Sequence, residues 1–147
     1  KMDKKDYKTY VLMGDGEQGE GSIYEAAMAA SHYKLDNLVA IIDRNHLQIS
    51  GNTENVMSLD SIRDRWTAFG WDVKEMNGDE IEDIVATFNG IDYSNNRPHL
   101  LISNTTKGKG VSYMENVAKW HHGVPSAEQY ETAIKEISER IAQLENN

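Results

Sequence analysis

Three carboxylates crowd a single glycine-rich turn. Asp15, Glu17 and Glu20 lie within Met13-Gly14-Asp15-Gly16-Glu17-Gln18-Gly19-Glu20-Gly21, and a second polar run, Asp43-Arg44-Asn45-His46-Leu47, follows the next apolar stretch. Glycine removes the Cβ and lets a backbone approach a ligand, and a helix opening just beyond would aim free N–H groups at an anion. Gly14, Gly16 and Gly19 satisfy G-x-G-x-x-G, with Asp43 where a dinucleotide fold holds a ribose. The acids oppose that reading for a bare pyrophosphate. Like charges a few ångströms apart repel by ~1 kcal/mol in water and by several times that near a low-dielectric surface. A diphosphate carrying a divalent cation reverses the sign of the local field. Asp15 then becomes a metal ligand, Asn45 adds an amide oxygen, and a carbonyl such as that of Leu47 completes a hard-oxygen set suited to Mg²⁺ or Ca²⁺. A plain strand–helix turn with solvated acids is the alternative without chemistry.

The elements that must position these residues follow from apolar patterning. Residues 1–6 form a polar lead-in, and residues 7–13 read as a buried strand. A helix from Ser22 has Ser22 and Glu25 spaced as a capping box, with Ile23, Ala26, Ala27 and Ala30 on one face. Residues 38–42 are continuously apolar, as in a parallel sheet covered on both faces. Residues 45–57 read as a polar loop. A helix over 59–69 is expected to be capped by Ser58 and stopped by Gly70. Residues 71–76 and 99–105 read as strands, with a helix over 80–89 between them that is apolar at Ile81, Ile84, Val85 and Phe88. Ser126 and Gln129 make a capping box for a helix over 127–145. Its stripe of Tyr130, Ala133, Ile134, Ile137, Ile141 and Leu144 is core or interface. Strands alternating with helices predict an α/β fold, a mainly parallel sheet with helices on both faces. Ligands of such sheets gather at the carboxyl ends of the strands, where Asp15, Asn45 and Lys107 would meet.

Gly14-Asp15-Gly16, followed after a helix and a strand by Asn45, resembles the thiamine diphosphate signature. The run Gly14-Asp15-Gly16-Glu17-Gln18-Gly19-Glu20-Gly21-Ser22-Ile23-Tyr24-Glu25-Ala26, with Asp43-Arg44-Asn45-His46-Leu47-Gln48-Ile49-Ser50-Gly51, resembles transketolases in particular. The likeness continues through Lys107-Gly108-Lys109-Gly110-Val111 and Trp120-His121-His122-Gly123-Val124-Pro125, so it covers nearly the whole chain. It implies that residues 1–147 are one domain corresponding to the C-terminal portion of a transketolase diphosphate-binding domain, a partial domain whose preceding segment has no counterpart here.

The same resemblance implies thiamine diphosphate and Mg²⁺ (or Ca²⁺) as cofactors and two-carbon ketol transfer between sugar phosphates as the reaction. Asp15, Asn45 and the Leu47 carbonyl would hold the metal. Gly14, Gly16, Glu17, Lys107 and His122 would line the cofactor, with the Gly16 amide on its diphosphate. His122 would reach the reacting centre, with His121 the competing neighbour, and Glu20 and Glu25 would act near a subunit interface. Lys109 reads equally as a solvated loop residue, and Asp43 as a strand end. In this family a different domain activates the aminopyrimidine. The resemblance therefore implies a partner, either a pyrimidine-binding domain or a C-terminal subunit, and an oligomer. A related enzyme of the same cofactor, such as a deoxyxylulose-phosphate synthase, and a non-catalytic binding or assembly module are the other readings.

Composition excludes several classes. The 147 residues suffice for a single sizeable core. A formal net charge of −9 argues against nucleic acid or an anionic membrane as partner. There are no cysteines, hence no disulfide framework and no thiol chemistry, which suits a cytoplasmic protein. No apolar run approaches the ~20 residues of a membrane span.

Overall fold

The structure, a computed structural model, describes residue 1, residues 3–59 and residues 61–146. Among them, β1 (Thr9–Gly14), β2 (Leu38–Arg44), β5 (Asp72–Asn77) and β6 (His99–Asn104) form one parallel sheet in the order β1-β2-β6-β5. Helix α1 (Gly21–His32) joins β1 to β2, and α4 (Ile81–Asn89) joins β5 to β6. Between β2 and β5 run a two-stranded hairpin of β3 (Leu47–Gln48) and β4 (Gly51–Asn52), then α2 (Thr53–Val56) and α3 (Ile62–Ala68). The long α5 (Ala127–Glu145) closes the chain.

The period-2 alternation of the central strands divides the core. Ala40, Ile42, Leu100 and Ile102 face a cluster built with Ala27 and Ala30 of α1 and Ile62 and Trp66 of α3. Val39 and Leu101 face the other cluster, with Ile84 and Phe88 of α4 packed against it. Helices therefore cover both faces of the parallel sheet, as the patterning implies. Alanine on α1 lets that helix lie close to the strands, and the Trp71 indole fixes the approach by donating to the Ala27 carbonyl at 3.0 Å.

Several expectations are corrected by the local geometry. Strand β1 lies at the sheet edge and buries only Met13, so Leu12 is 73% exposed. Residues 38–42, by contrast, sit in a central strand and are buried or half-buried. Helix α1 starts at Gly21 with Glu20 as its N-cap, so Ser22 lies inside the helix and no Ser22–Glu25 capping box forms; Ala26 is exposed. Ser61, not Ser58, caps α3, and its hydroxyl accepts from the Asp64 N–H. Leu59 is buried ahead of the helix. Residues 45–57, read as a loop, carry the hairpin and α2. Ile81 and Val85 face outward on α4. The capping box of α5 is present, but α5 buries none of its residues, so its apolar stripe is no part of the core.

Candidate functional site

Register places Gly14, Asp43 and Ser103 side by side across β1, β2 and β6. The residues just beyond this row therefore leave the sheet at one edge, its carboxyl edge. There a cleft of about 430 Å³ is lined by Gly14, Asp15, Gly16, Glu17, Glu20, Asp43, Asn45, residues 47–50, Lys107 and His121. The acidic turn and the Asn45 segment, far apart in sequence, share one cavity.

Asp15 is the floor of this cleft and only 1% exposed. It caps the 3-10 turn Gly16–Gly19, its Oδ1 accepting the Gly16 N–H at 2.8 Å. Its Oδ2 accepts the His46 N–H at 2.6 Å and Nη1 of Arg44 at 3.2 Å. A carboxylate taken out of water needs such donors, because desolvation without them is expensive. His46 adopts a left-handed backbone with φ of 63°, uncommon for a non-glycine residue, and from that conformation its N–H reaches Asp15. Gly16 is required by packing, since a Cβ there would lie 3.0 Å from Cβ of Gln48 in β3. A Cβ at Gly14 would meet nothing within 4 Å and would project into open space.

Asn45 is buried and doubly held. Its Oδ1 accepts the Leu47 N–H at 3.0 Å, and its Nδ2 donates to Oδ2 of Asp43 at 3.0 Å. Asp43 is in turn fixed by the Thr105 hydroxyl. Asp43 is therefore more than a strand end: it orients the Asn45 amide. Asn45 Oδ1 keeps a second lone pair beyond the Leu47 bond. Asp15, Asn45 and Leu47 line one cleft, and residues of these types can supply the carboxylate, amide and carbonyl oxygens that a hard divalent cation takes. Four acids, Asp15, Glu17, Glu20 and Asp43, line this cleft against Lys107 and His121, which also favours a cation.

The backbone donors expected to meet a phosphate are engaged within the turn. Gly16 N–H is held by Asp15, and Gly14 N–H donates to Oε2 of Glu17 at 3.0 Å. Glu20 lines the cleft and is also the N-cap of α1. Glu25 is exposed on α1 and does not line it. Lys107 borders both this cleft and a neighbouring one of about 350 Å³ that also contains Leu12, Asp79 and Thr106. Lys109 turns to Asp79, with Nζ 3.6 Å from Oδ2. Burial pushes the Asp79 carboxyl up, but hydrogen bonds from Thr106 and the charge of Lys109 outweigh it and hold the group below its usual range. Gly108 takes φ of 76°, and a Cβ there would strike the Met114 carbonyl at 2.7 Å, so this loop folds tightly on itself beside Lys107. His122, expected at the site, does not line the cleft; the adjacent His121, the last residue of the 3-10 turn Ala118–His121, does.

Three contributors escape the sequence pattern. Arg44 joins Asp15 to α2, its Nη1 donating to Thr53 Oγ1 at 2.8 Å and its Nη2 lying 2.5 Å from Oε1 of Glu54. Gln18 is buried, accepting from Nε1 of Trp66 at 3.2 Å and donating to the Gly14 carbonyl at 3.3 Å, which ties the acidic turn to α3. The hairpin supplies Gln48 as the wall against Gly16. The one available signal was Arg44 itself, a cation placed beside Asp43 and Asn45.

The family pattern described as transketolase, thiamine diphosphate binding domain, matches residues 1–140. Over 145 residues the chain is 81% identical to an apulose-4-phosphate transketolase subunit from Phocaeicola vulgatus, covering 99% of this chain and 52% of that one. It is 36% identical over 141 residues to the 6-deoxy-6-sulfo-D-fructose transketolase subunit of a Clostridium species, covering 96% and 51%. The chain thus spans about half the length of these curated relatives. Among solved structures, transketolase from Campylobacter jejuni superposes with a TM-score of 0.71 at 26% identity, over 96% of this chain and 26% of that one.

Proposed function

The chain belongs to the transketolase family through its thiamine diphosphate-binding domain, and on that premise we propose that it is the diphosphate-holding part of a cytoplasmic transketolase that moves a two-carbon ketol unit between sugar phosphates. The observation that carries this reading is the buried Asp15 carboxylate sharing one acidic cleft with Asn45 and Leu47. Asp15, the Asn45 amide and the Leu47 carbonyl would hold Mg²⁺, whose charge offsets the repulsion between the acidic turn and a diphosphate. Thiamine diphosphate, when bound, supplies the thiazolium carbon that carries the two-carbon unit.

The chain's own groups bind and orient. Lys107 at the cleft rim contributes a cation to the phosphate oxygens. A histidine of the 121–122 pair donates to the diphosphate or shuttles a proton near neutral pH. Glu20 acts at the subunit boundary. Gly14 leaves open space for the cofactor's tail. The 81% identity to an apulose-4-phosphate transketolase subunit supports apulose 4-phosphate as substrate. The word subunit in that relative's name supports a partner chain that binds and activates the aminopyrimidine.

Calorimetric titration of the assembled enzyme tests the reading. Thiamine diphosphate affinity should fall sharply when EDTA removes the divalent metal and recover with Mg²⁺. Undiminished metal-free binding would reject the metal–diphosphate assignment.

A further inference from the structure

Among the described residues, Arg44 is the one cation paired with Asp15, and the same side chain also reaches an acid outside the cleft. Its side chain is 11% exposed, and its guanidinium spans Asp15, Thr53 and Glu54. Glu54 in turn accepts the Ser58 hydroxyl at 2.8 Å and the Leu59 N–H at 3.2 Å. The Ser58 hydroxyl first, and then the Arg44 guanidinium, hold its carboxyl below the usual range. One cation is thus divided between an acid that lines the cleft and one anchored on α2.

We propose that Arg44 is a positioning residue that tunes divalent-metal affinity, competing for the Asp15 carboxylate when the site is empty and yielding to Glu54 when a metal arrives. The inference rests on the metal–diphosphate reading of the cleft. Arg44 Nη1 lies 3.2 Å from Oδ2 of Asp15, while its shorter contact, 2.5 Å, is to Glu54. A divalent ion on Asp15 would meet that guanidinium as a like charge, and like charges at such range repel even in water. Thr53 Oγ1 and Glu54 give the guanidinium a place to stay without leaving the interior. Metal entry therefore shifts Arg44 weight from β1's turn toward α2, linking the cleft to the 53–59 segment.

The mechanism fixes opposite signs for two substitutions. Arg44→Gln removes the competitor and should lower the Mg²⁺ concentration giving half-maximal effect by about tenfold, the scale of one unit charge a few ångströms from a divalent ion. Glu54→Gln removes the alternative seat and should raise it by a similar factor. A purely structural role would weaken metal binding in both variants.

The test is Mg²⁺ titration of the assembled enzyme in the presence of thiamine diphosphate, read as the shift of the thermal unfolding midpoint and by calorimetry. Opposite displacements of the two variants support the proposal. An unchanged or weakened Mg²⁺ response in folded Arg44→Gln overturns it, as does a tighter response in Glu54→Gln. Should Arg44→Gln fail to fold, Arg44→Met, which keeps the aliphatic stem and also removes the competing charge, takes its place: a tighter Mg²⁺ response supports the proposal and an unchanged or weaker one overturns it. Wild-type protein indifferent to Mg²⁺ would overturn the metal reading itself, and this proposal with it, whereas a responsive wild type with indifferent variants overturns this proposal alone.

Discussion

Two glycines of the same turn separate packing from binding at the scale of single residues. Gly16 has Gln48 against it, so Gly16→Ala should overpack the hairpin and lower stability by about 1–3 kcal/mol. Gly14 faces open space, so Gly14→Ala should leave the thermal midpoint nearly unchanged while reducing thiamine diphosphate affinity, because the methyl enters the cleft. Melting curves and cofactor titration on both variants check the contrast. Asn45→Ala should mimic metal depletion, and Asp15→Asn should be at least as damaging, since the charge attraction goes with the oxygen. Normal Mg²⁺-supported cofactor binding by both would reject the ligand assignment. The histidine pair divides motif from geometry: spacing before Gly123 keeps His122 as the proposed contact, while His121 lines the cleft. Gln variants of each in the assembled enzyme should show His122→Gln losing turnover by roughly 10²–10⁴-fold; a larger loss in His121→Gln would transfer the role to the residue in the cleft. Asp15 and Asn45 were singled out by type and spacing, and folding does bring both to one cleft. Arg44 was not, because its meaning lies in partners at positions 15, 53 and 54 that only folding brings together.

At the scale of elements, periodicity found every long helix and strand, and it erred where tertiary contacts choose the boundary. Ser58 and Ser61 both suit an N-cap; Ser58 donates instead to Glu54, leaving Ser61 to cap α3. Residues 45–57 carry no strand or helix period and read as a loop, yet they form a hairpin and α2, held by Arg44 bonds to Asp15 and Thr53 that no local pattern reveals. Helix α5 was legible from its capping box, but its place was not, since an apolar stripe looks the same in a core and on a surface. The attachment of α5 gives a prediction at this scale. Glu136 accepts the Ser112 N–H at 2.7 Å and the Ser112 hydroxyl at 2.6 Å, and these bonds hold its carboxyl below the ordinary value of 4.5. A depressed folded pKa means the contact contributes fully above the unfolded carboxylate value and is lost as pH falls through the folded one. Glu136→Gln should therefore lower the protection factor of the Ser112 amide at neutral pH, and wild type should lose the same protection as pH falls through the depressed Glu136 value. Equal exchange in variant and wild type at neutral pH would remove Glu136 as the tether. Ser126→Ala, which breaks the capping box at the N-terminus of α5, should cost about 1 kcal/mol, measured by chemical denaturation.

Across the whole molecule, the buried apolar surface is concentrated on the two central strands, while the sheet edge and α5 turn apolar groups outward. Tyr10 and Leu12 of β1 are more than half exposed, and Tyr130, Ile141 and Leu144 of α5 are exposed by 50% or more. Isolated exposed apolar residues are ordinary, but a strand edge that also presents unpaired backbone groups is a surface other chains can complete. That edge lies next to the cleft, since Leu12 and Lys107 border the same neighbouring pocket. The acidic cleft and the uncovered strand thus share one side of the sheet, the arrangement expected of a site finished by a second polypeptide. Covering several hundred Å² at ~25 cal/mol per Å² supplies several kcal/mol before the costs of association are subtracted. On the proposed reading, in which a partner chain activates the aminopyrimidine, the chain by itself should then associate with rising concentration and yet transfer no ketol unit. Sedimentation velocity over a concentration series, run beside a coupled ketol-transfer assay with thiamine diphosphate and Mg²⁺, measures both at once. A concentration-independent compact monomer would refute the docking role of the β1 edge. Turnover by the isolated chain, persisting after removal of any contaminating transketolase, would refute the need for a partner and require the activating carboxylate to be found among residues 1–147.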